Sequence, residues 1–283
     1  MPENELFTPG HTACAGCGAA IALRMVMKAL GPDTIIVNAT GCSEIFTSKY
    51  PQSAWRVPYI HCLFENAAPV AAGVAKALEV SGNDHTKVVV IAGDGATYDI
   101  GFGCLSGALE RNDNILYICY DNEAYMNTGV QRSGATPFGT NTTTSQVGSK
   151  IHGKTEWKKP ILDIVAAHHI PYAASTTIAY FADLDRKVKK AAAMKGARFI
   201  NIHAPCVPGW GYDPALSVKL SKLAVETGMW KMCEIEDGKE TISVPPKMTP
   251  VVEYFKLQKR FKHLTPEEIE VIQKKINAVW GKQ

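Results

Sequence analysis

A chain of 283 residues has room for one large α/β unit or two small domains. With 46% hydrophobic and 20% charged residues, an intrinsically disordered chain, a collagen-like repeat and a coiled coil are excluded. Lys and Arg number 30 against 27 Asp and Glu, a net charge of +3 that does not argue for nucleic acid as a partner. No apolar run approaches the roughly 20 residues that cross a bilayer, because Arg24 and Lys28 interrupt the best one, so no membrane association is expected. Met1-Pro2-Glu3-Asn4-Glu5 is acidic where a signal peptide is basic, and the expected location is cytoplasmic. In that reducing compartment the eight cysteines read as metal, cluster, catalytic or core residues rather than disulfides.

In chain order, the apolar spacing predicts a helix over 17–30, stopped by Gly31-Pro32, and a short strand over 34–37. Further strands are expected at 59–62, 88–92, 115–120 and 199–203, with helices over 66–78, 102–110, 161–168 and 181–195. Continuous Val/Ile strands separated by helices indicate an α/β fold with a doubly wound, mostly parallel sheet, whose ligands bind beyond the carboxyl ends of the strands. Residues 128–154 read as a long functional or mobile loop, and the chain after Cys206 as irregular. Val244-Pro245-Pro246 marks a linker, dividing an α/β domain over 1–244 from a C-terminal helical arm over 245–283. In that arm Thr265-Pro266-Glu267-Glu268 has the spacing of a capping box, and Ile269, Ile272, Ile276 and Val279 fall on one helical face.

One strand runs directly into Gly93-Asp94-Gly95, and the next ends at Asp121-Asn122. A carboxylate and an amide oxygen at adjacent strand ends suit Mg²⁺, which takes a few protein oxygens together with phosphate oxygens. The glycines let the backbone approach a diphosphate, and a helix N-terminus near residues 100–102 adds a favourable dipole. Four cysteines stand apart as candidate ligands: Cys14 and Cys17 in a C-x2-C element, Cys42 after one strand and Cys206 after another. On spacing alone an iron–sulfur cluster and a four-cysteine structural zinc site fit equally. Cys104 and Cys119 read as small core residues, with Cys62 and Cys233 as substitutes for Cys206.

The run Gly93-Asp94-Gly95-Ala96-Thr97-Tyr98-Asp99-Ile100-Gly101, taken with Asp121-Asn122-Glu123-Ala124-Tyr125-Met126-Asn127-Thr128-Gly129, resembles the beta subunits of pyruvate:ferredoxin oxidoreductase and its 2-oxoacid relatives. The resemblance extends from Gly10-His11 through Pro205-Cys206 and implies a thiamine-diphosphate-binding fold of the transketolase-like diphosphate type. It also implies Mg²⁺ held by Asp94, Asn122 and the carbonyl of Ala124, with Gly93, Gly95 and Asn127 at the cofactor and Asn127 facing its reacting carbon. A 4Fe-4S cluster on Cys14, Cys17, Cys42 and Cys206 is implied as well. The implied reaction is oxidative decarboxylation of a 2-oxoacid, pyruvate first among them, with coenzyme A and ferredoxin. Many such subunits carry an acidic residue two positions after the second cysteine, where this chain has Ala19. The glutamate that activates the pyrimidine ring is implied to come from a partner alpha subunit, with gamma- and delta-type subunits or domains carrying electrons onward. Glu65 superficially fits the activating motif, but it lies in the helix region leading into the diphosphate motif of the same domain. Two other readings are a non-redox thiamine lyase with structural zinc and a zinc-bearing module whose Lys-rich arm binds nucleic acid; the second leaves Asp94 and Asn122 unexplained.

Overall fold

The computed structural model describes residues 5–281. Eight strands form one sheet in the order β2-β1-β3-β4-β6-β5-β7-β8. They are β1 (Thr34–Ala39), β2 (Tyr59–Cys62), β3 (Lys87–Gly93), β4 (Leu116–Asp121), β5 (Tyr172–Thr177), β6 (Arg198–His203), β7 (Met232–Glu236) and β8 (Lys239–Val244). The first six are mutually parallel, and β7 and β8 add an antiparallel edge. β1, β3, β4 and β6 are buried almost throughout because their Val/Ile-rich runs are covered on both faces.

Alternation of side chains assigns each face its own core. Ile36, Val89, Ile91 and Ile118 pack with Leu23, Val26 and Met27 of α1 (Gly18–Leu30) and Leu184 and Val188 of α6 (Phe181–Ala193). Val37, Val88, Val90 and Tyr117 pack on the other face with α3 (Ala67–Val80), α4 (Phe102–Glu110) and α5 (Ile161–Ala166). β1 and β3 are neighbours, and the chain leaves them in opposite directions across the sheet. The crevice beyond their carboxyl ends is therefore a topological switch point, where ligands of such sheets bind.

Helices or strands replace expected irregularity in two places. A short helix, α2 (Cys42–Thr47), follows β1, and the segment after Cys206 carries α7 (Val207–Trp210), α8 (Ser217–Glu226) and the β7–β8 hairpin. The hairpin turns on Asp237 (φ 49°) and Gly238 (φ 78°), the two positive-φ residues that a type I′ turn requires. Beyond Pro246, α9 (Val252–Phe255) and α10 (Pro266–Val279) close a third core with Trp210, Leu220 and Trp230. The expected capping box is present: Thr265 Oγ1 accepts from Glu268 N–H, and the Glu268 carboxylate accepts from Thr265 N–H at 2.8 Å. Ile272 and Ile276 are buried, but Val279 is 61% exposed, because the helix has run past the edge of that core. Trp280 makes the last contact, donating from Nε1 to the Gly228 carbonyl at 3.1 Å.

Candidate active site

Parallel pairing sets Gly93 of β3 opposite Tyr120 of β4, which brings Asp94 and Asn122 together just beyond the two strand ends. Asp94 is 1% exposed, and one of its carboxylate oxygens accepts from Ser133 Oγ. The side-chain amide of Asn122 stands with one terminal atom 2.9 Å from Asp94 Oδ1 and 2.8 Å from the Ala124 carbonyl oxygen. Without a cation that atom is the amide nitrogen, donating to both; turned about, the amide places three oxygens around one point, which is favourable only with a cation among them. One carboxylate, one amide and one backbone carbonyl are a donor set that suits Mg²⁺ completed by phosphate oxygens. Burial, reinforced by the nearby Asp121 carboxylate, holds the Asp94 carboxyl well above the usual range. A buried charge in that position gains more than an exposed one from a neighbouring cation.

The backbone after Asp94 does not run loosely to a helix at 100–102, as expected from the sequence, but turns at once into a π-helical turn, Gly95–Ile100, that leads into α4. Single π turns inside helices gather at functional sites. Gly95 lies flat against Tyr125: a Cβ there would come 2.3 Å from the ring, and Tyr125 Oη donates to the Gly95 carbonyl at 3.1 Å. Gly41, Gly95, Ala124 and Asn127 thus line a narrow cleft at the switch point, with Asp94 and Asn122 at its floor.

A second cleft of about 290 Å³ adjoins the first, and Cys14, Cys17, Cys42 and Cys206 all line it. Cys42, Asn122, Met126 and Asn127 line both clefts and so form their common wall. Three of the four thiols stand at helix starts: Cys17 and Cys206 cap α1 and α7, and Cys42 is the first residue of α2. Unpaired backbone N–H groups there favour negative charge on sulfur. Burial nevertheless pushes the thiols of Cys42 and Cys206 up to about 12, with the neighbouring cysteines adding to the effect. Thiolates at these positions call for a compensating cationic centre. Among the described residues no three His, Cys, Asp or Glu side chains are close enough to hold a single metal ion. The four thiols are instead spread around a cleft.

The two cysteine loops meet through glycines that the sequence did not single out. Gly16, with φ +71°, lies so close to Pro214 that a Cβ would come 2.4 Å from its carbonyl oxygen. Gly18 N–H donates to the Pro205 carbonyl at 3.1 Å, and a Cβ on Gly18 would meet that backbone at 2.6 Å. Ala19 is buried in the wall of the cysteine cleft. Cys119 is buried in the sheet, Cys104 is partly buried on α4, and Cys62 and Cys233 sit near Asn38 and Ser175, outside the lining of that cleft. Glu65 precedes α3 and does not line the first cleft. The 128–154 loop packs over the site: Ser133 reaches Asp94, Gly134 N–H donates to Asp99 at 2.8 Å, and Thr136 Oγ1 donates to the Glu123 carbonyl at 2.6 Å. These partners come from the first part of a loop, and no local spacing signalled them.

Residues 39–202 match the family described as thiamine pyrophosphate enzyme, C-terminal TPP binding domain. The chain is 51% identical to pyruvate synthase subunit PorB of Methanothermobacter thermautotrophicus over 280 residues, covering 99% of this chain and 97% of that one. Identity is 53% over 285 residues to the subunit of the same name from Methanocaldococcus jannaschii, covering 98% and 96%. It is 46% over 288 residues to ketoisovalerate oxidoreductase subunit VorB of Pyrococcus abyssi, covering 99% and 93%. The fold is also similar to a chain of 2-oxoglutarate:ferredoxin oxidoreductase from Magnetococcus marinus, with a TM-score of 0.61 at 20% identity and coverage of 99% and 90%. No described helix is long and apolar enough to cross a membrane. With this sheet, this switch-point cleft and relatives matched over nearly their whole length, the chain belongs to the thiamine-diphosphate-binding beta subunits of the 2-oxoacid:ferredoxin oxidoreductases.

Proposed function

We propose that this subunit holds both the thiamine diphosphate and a proximal 4Fe-4S cluster of an enzyme that converts pyruvate, coenzyme A and oxidised ferredoxin to acetyl-CoA, CO₂ and reduced ferredoxin. The observation that carries this reading is the shared wall: the cleft floored by Asp94 and Asn122 and the cleft lined by four cysteines are separated by Cys42, Met126 and Asn127. Such adjacency suits an electron transfer and serves no purpose in a non-redox lyase. When bound, the two groups supply carbanion stabilisation and one-electron acceptance respectively.

In this reading Asp94, Asn122 and the Ala124 carbonyl hold Mg²⁺, while Gly93 and Gly95 let the backbone approach the diphosphate. Asn127, on the shared wall, takes the catalytic role and would face the reacting carbon of the cofactor. Cys14, Cys17, Cys42 and Cys206 hold the cluster, a reading supported by all four lining the cleft that shares a wall with the diphosphate cleft. The pyrimidine-activating glutamate comes from an alpha-type subunit, and gamma- and delta-type subunits or domains relay electrons to ferredoxin. Pyruvate is put before branched 2-oxoacids because pyruvate synthase subunits of Methanothermobacter and Methanocaldococcus are 50–53% identical to this chain against 46% for the ketoisovalerate subunit, a margin that the Pyrococcus pyruvate synthase subunits, at 43–45%, do not share.

The test is the visible spectrum of the anaerobically purified complex, with iron, sulfide and zinc analysis. Replacing any of the four cysteines by Ser should lower iron and labile sulfide and abolish ferredoxin reduction, while Cys104→Ser and Cys119→Ser leave iron in place. Stoichiometric zinc without labile sulfide in this subunit would sink the cluster assignment.

A further inference from the structure

Between Asn122 and Ala124 stands Glu123, a non-glycine residue with φ +69° in the left-handed region. Residues in that conformation persist only where their surroundings hold them there. Glu123 is held at every polar group. Its N–H donates to Asp121 Oδ1 at 3.1 Å and its carbonyl accepts from Thr136. Its buried carboxylate accepts from Lys158 Nζ at 3.2 Å and from Arg260 Nη2 at 2.7 Å. Arg260 comes from the far end of the chain, beyond the Pro245-Pro246 linker, and its side chain is 2% exposed.

The same guanidinium stands over the indole of Trp210, with its carbon 3.6 Å from the ring centroid. Trp210 Nε1 in turn donates to the backbone carbonyl of Asn122 at 2.8 Å. Arg260 therefore grips both sides of the Asn122–Glu123 step, directly through the carboxylate and indirectly through the indole. Its Nε donates to Gln258 Oε1 at 2.8 Å, which fixes the plane of the fork. A buried charged side chain is costly to place, and this one lines neither cleft.

We propose that Arg260 is a positioning residue for the cation site: by holding Glu123 and stacking on Trp210 it fixes where the Asn122 amide and the Ala124 carbonyl stand. The proposal rests on the reading that Asp94, Asn122 and Ala124 bind Mg²⁺. The chain's last segment is thereby part of the cofactor site, although its residues do not contact the cation.

The experiment uses the purified multi-subunit enzyme, stripped of thiamine diphosphate and Mg²⁺, with Mn²⁺ as a paramagnetic substitute. Cofactor-dependent Mn²⁺ binding is read by electron paramagnetic resonance. Arg260→Lys keeps the charge but loses the planar fork and the stack. It should weaken Mn²⁺ binding by about tenfold or more, the usual effect of removing a partner that orients a ligand. Ile272→Val softens the same third core away from Glu123 and should leave Mn²⁺ affinity at the wild-type value. Should Arg260→Lys fail to assemble, Glu123→Gln takes its place and should give a loss of similar size. Wild-type Mn²⁺ affinity in the assembled variant, or an equal loss in Ile272→Val, overturns the proposal. Asp94→Ala serves as the control: if it too binds Mn²⁺ like the wild type, the cation assignment itself fails and the proposal falls with it.

Discussion

Asp94, the proposed cation ligand, is a residue whose proposed role runs against the stability of the fold that carries it. Its carboxylate is 1% exposed, Asp121 is close by, and no cationic side chain forms an ion pair with it among the described residues. A buried charge without a partner destabilises the chain, and a bound cation removes that cost. Asp94→Asn should therefore leave the cofactor-stripped enzyme at least as stable as the wild type, while abolishing the stabilisation that thiamine diphosphate and Mg²⁺ confer. For the wild type that stabilisation reaches about 2.7 kcal/mol at a ligand concentration 100 times Kd. Thermal denaturation with and without cofactor measures both halves; an equal gain in the variant would show that Asp94 is not a ligand. That Asp94 and Asn122 meet beyond neighbouring strand ends was legible in the sequence because each follows a recognisable strand. Ser133, Glu123 and Arg260 were not, because their importance arises only when a loop and a distant segment fold onto the strand ends.

Elements were legible where one periodicity ran long enough. The helix over 17–30 and the strands at 59–62 and 199–203 are found within a few residues of their expected bounds. α2 was missed because six residues show less than two helical turns of pattern, and the π turn because its sequence reads as part of a glycine-rich loop. The β7–β8 hairpin did carry a signal, Asp237-Gly238 between alternating apolar residues, inside a stretch taken as irregular. At this scale the cysteine cleft depends on how tightly α1 approaches the strand end at Ala204 and Pro205. Gly18→Ala would force a Cβ into that backbone, which cannot swing aside as a flexible side chain can. The variant should keep its secondary structure yet lose iron, although no cysteine has changed. Circular dichroism and iron analysis on the same anaerobic preparation separate the two effects, and full iron occupancy would show that the loops tolerate the displacement.

At the scale of the whole molecule, the chain presents a site with one side open. Ile45, Leu63 and Ile100 near the strand ends leave half or more of their surface exposed, a pattern that fits a covering protein. Glu65, the carboxylate whose sequence context most resembles the activating one, stands before α3 and outside the lining of the diphosphate cleft. Among the described residues the sheet has one switch point with one Asp94–Asn122 unit, and in the proposed reading the pyrimidine side of the cofactor is completed by the partner subunit. Ser133, Gly134 and Thr136 tie the first part of the 128–154 loop to Asp94, Asp99 and Glu123. We accordingly predict that the isolated chain retains iron but releases no CO₂ from pyruvate when supplied with thiamine diphosphate, Mg²⁺, coenzyme A and ferredoxin. Addition of the alpha-type subunit should restore decarboxylation, and the remaining subunits should restore ferredoxin reduction. Turnover by the isolated chain at a rate comparable to the complex would defeat the shared-site argument and return Glu65 to consideration as the activating carboxylate. A Glu65→Gln variant assayed in the complex decides between the two: decarboxylation should persist if the partner supplies the glutamate and collapse if Glu65 does.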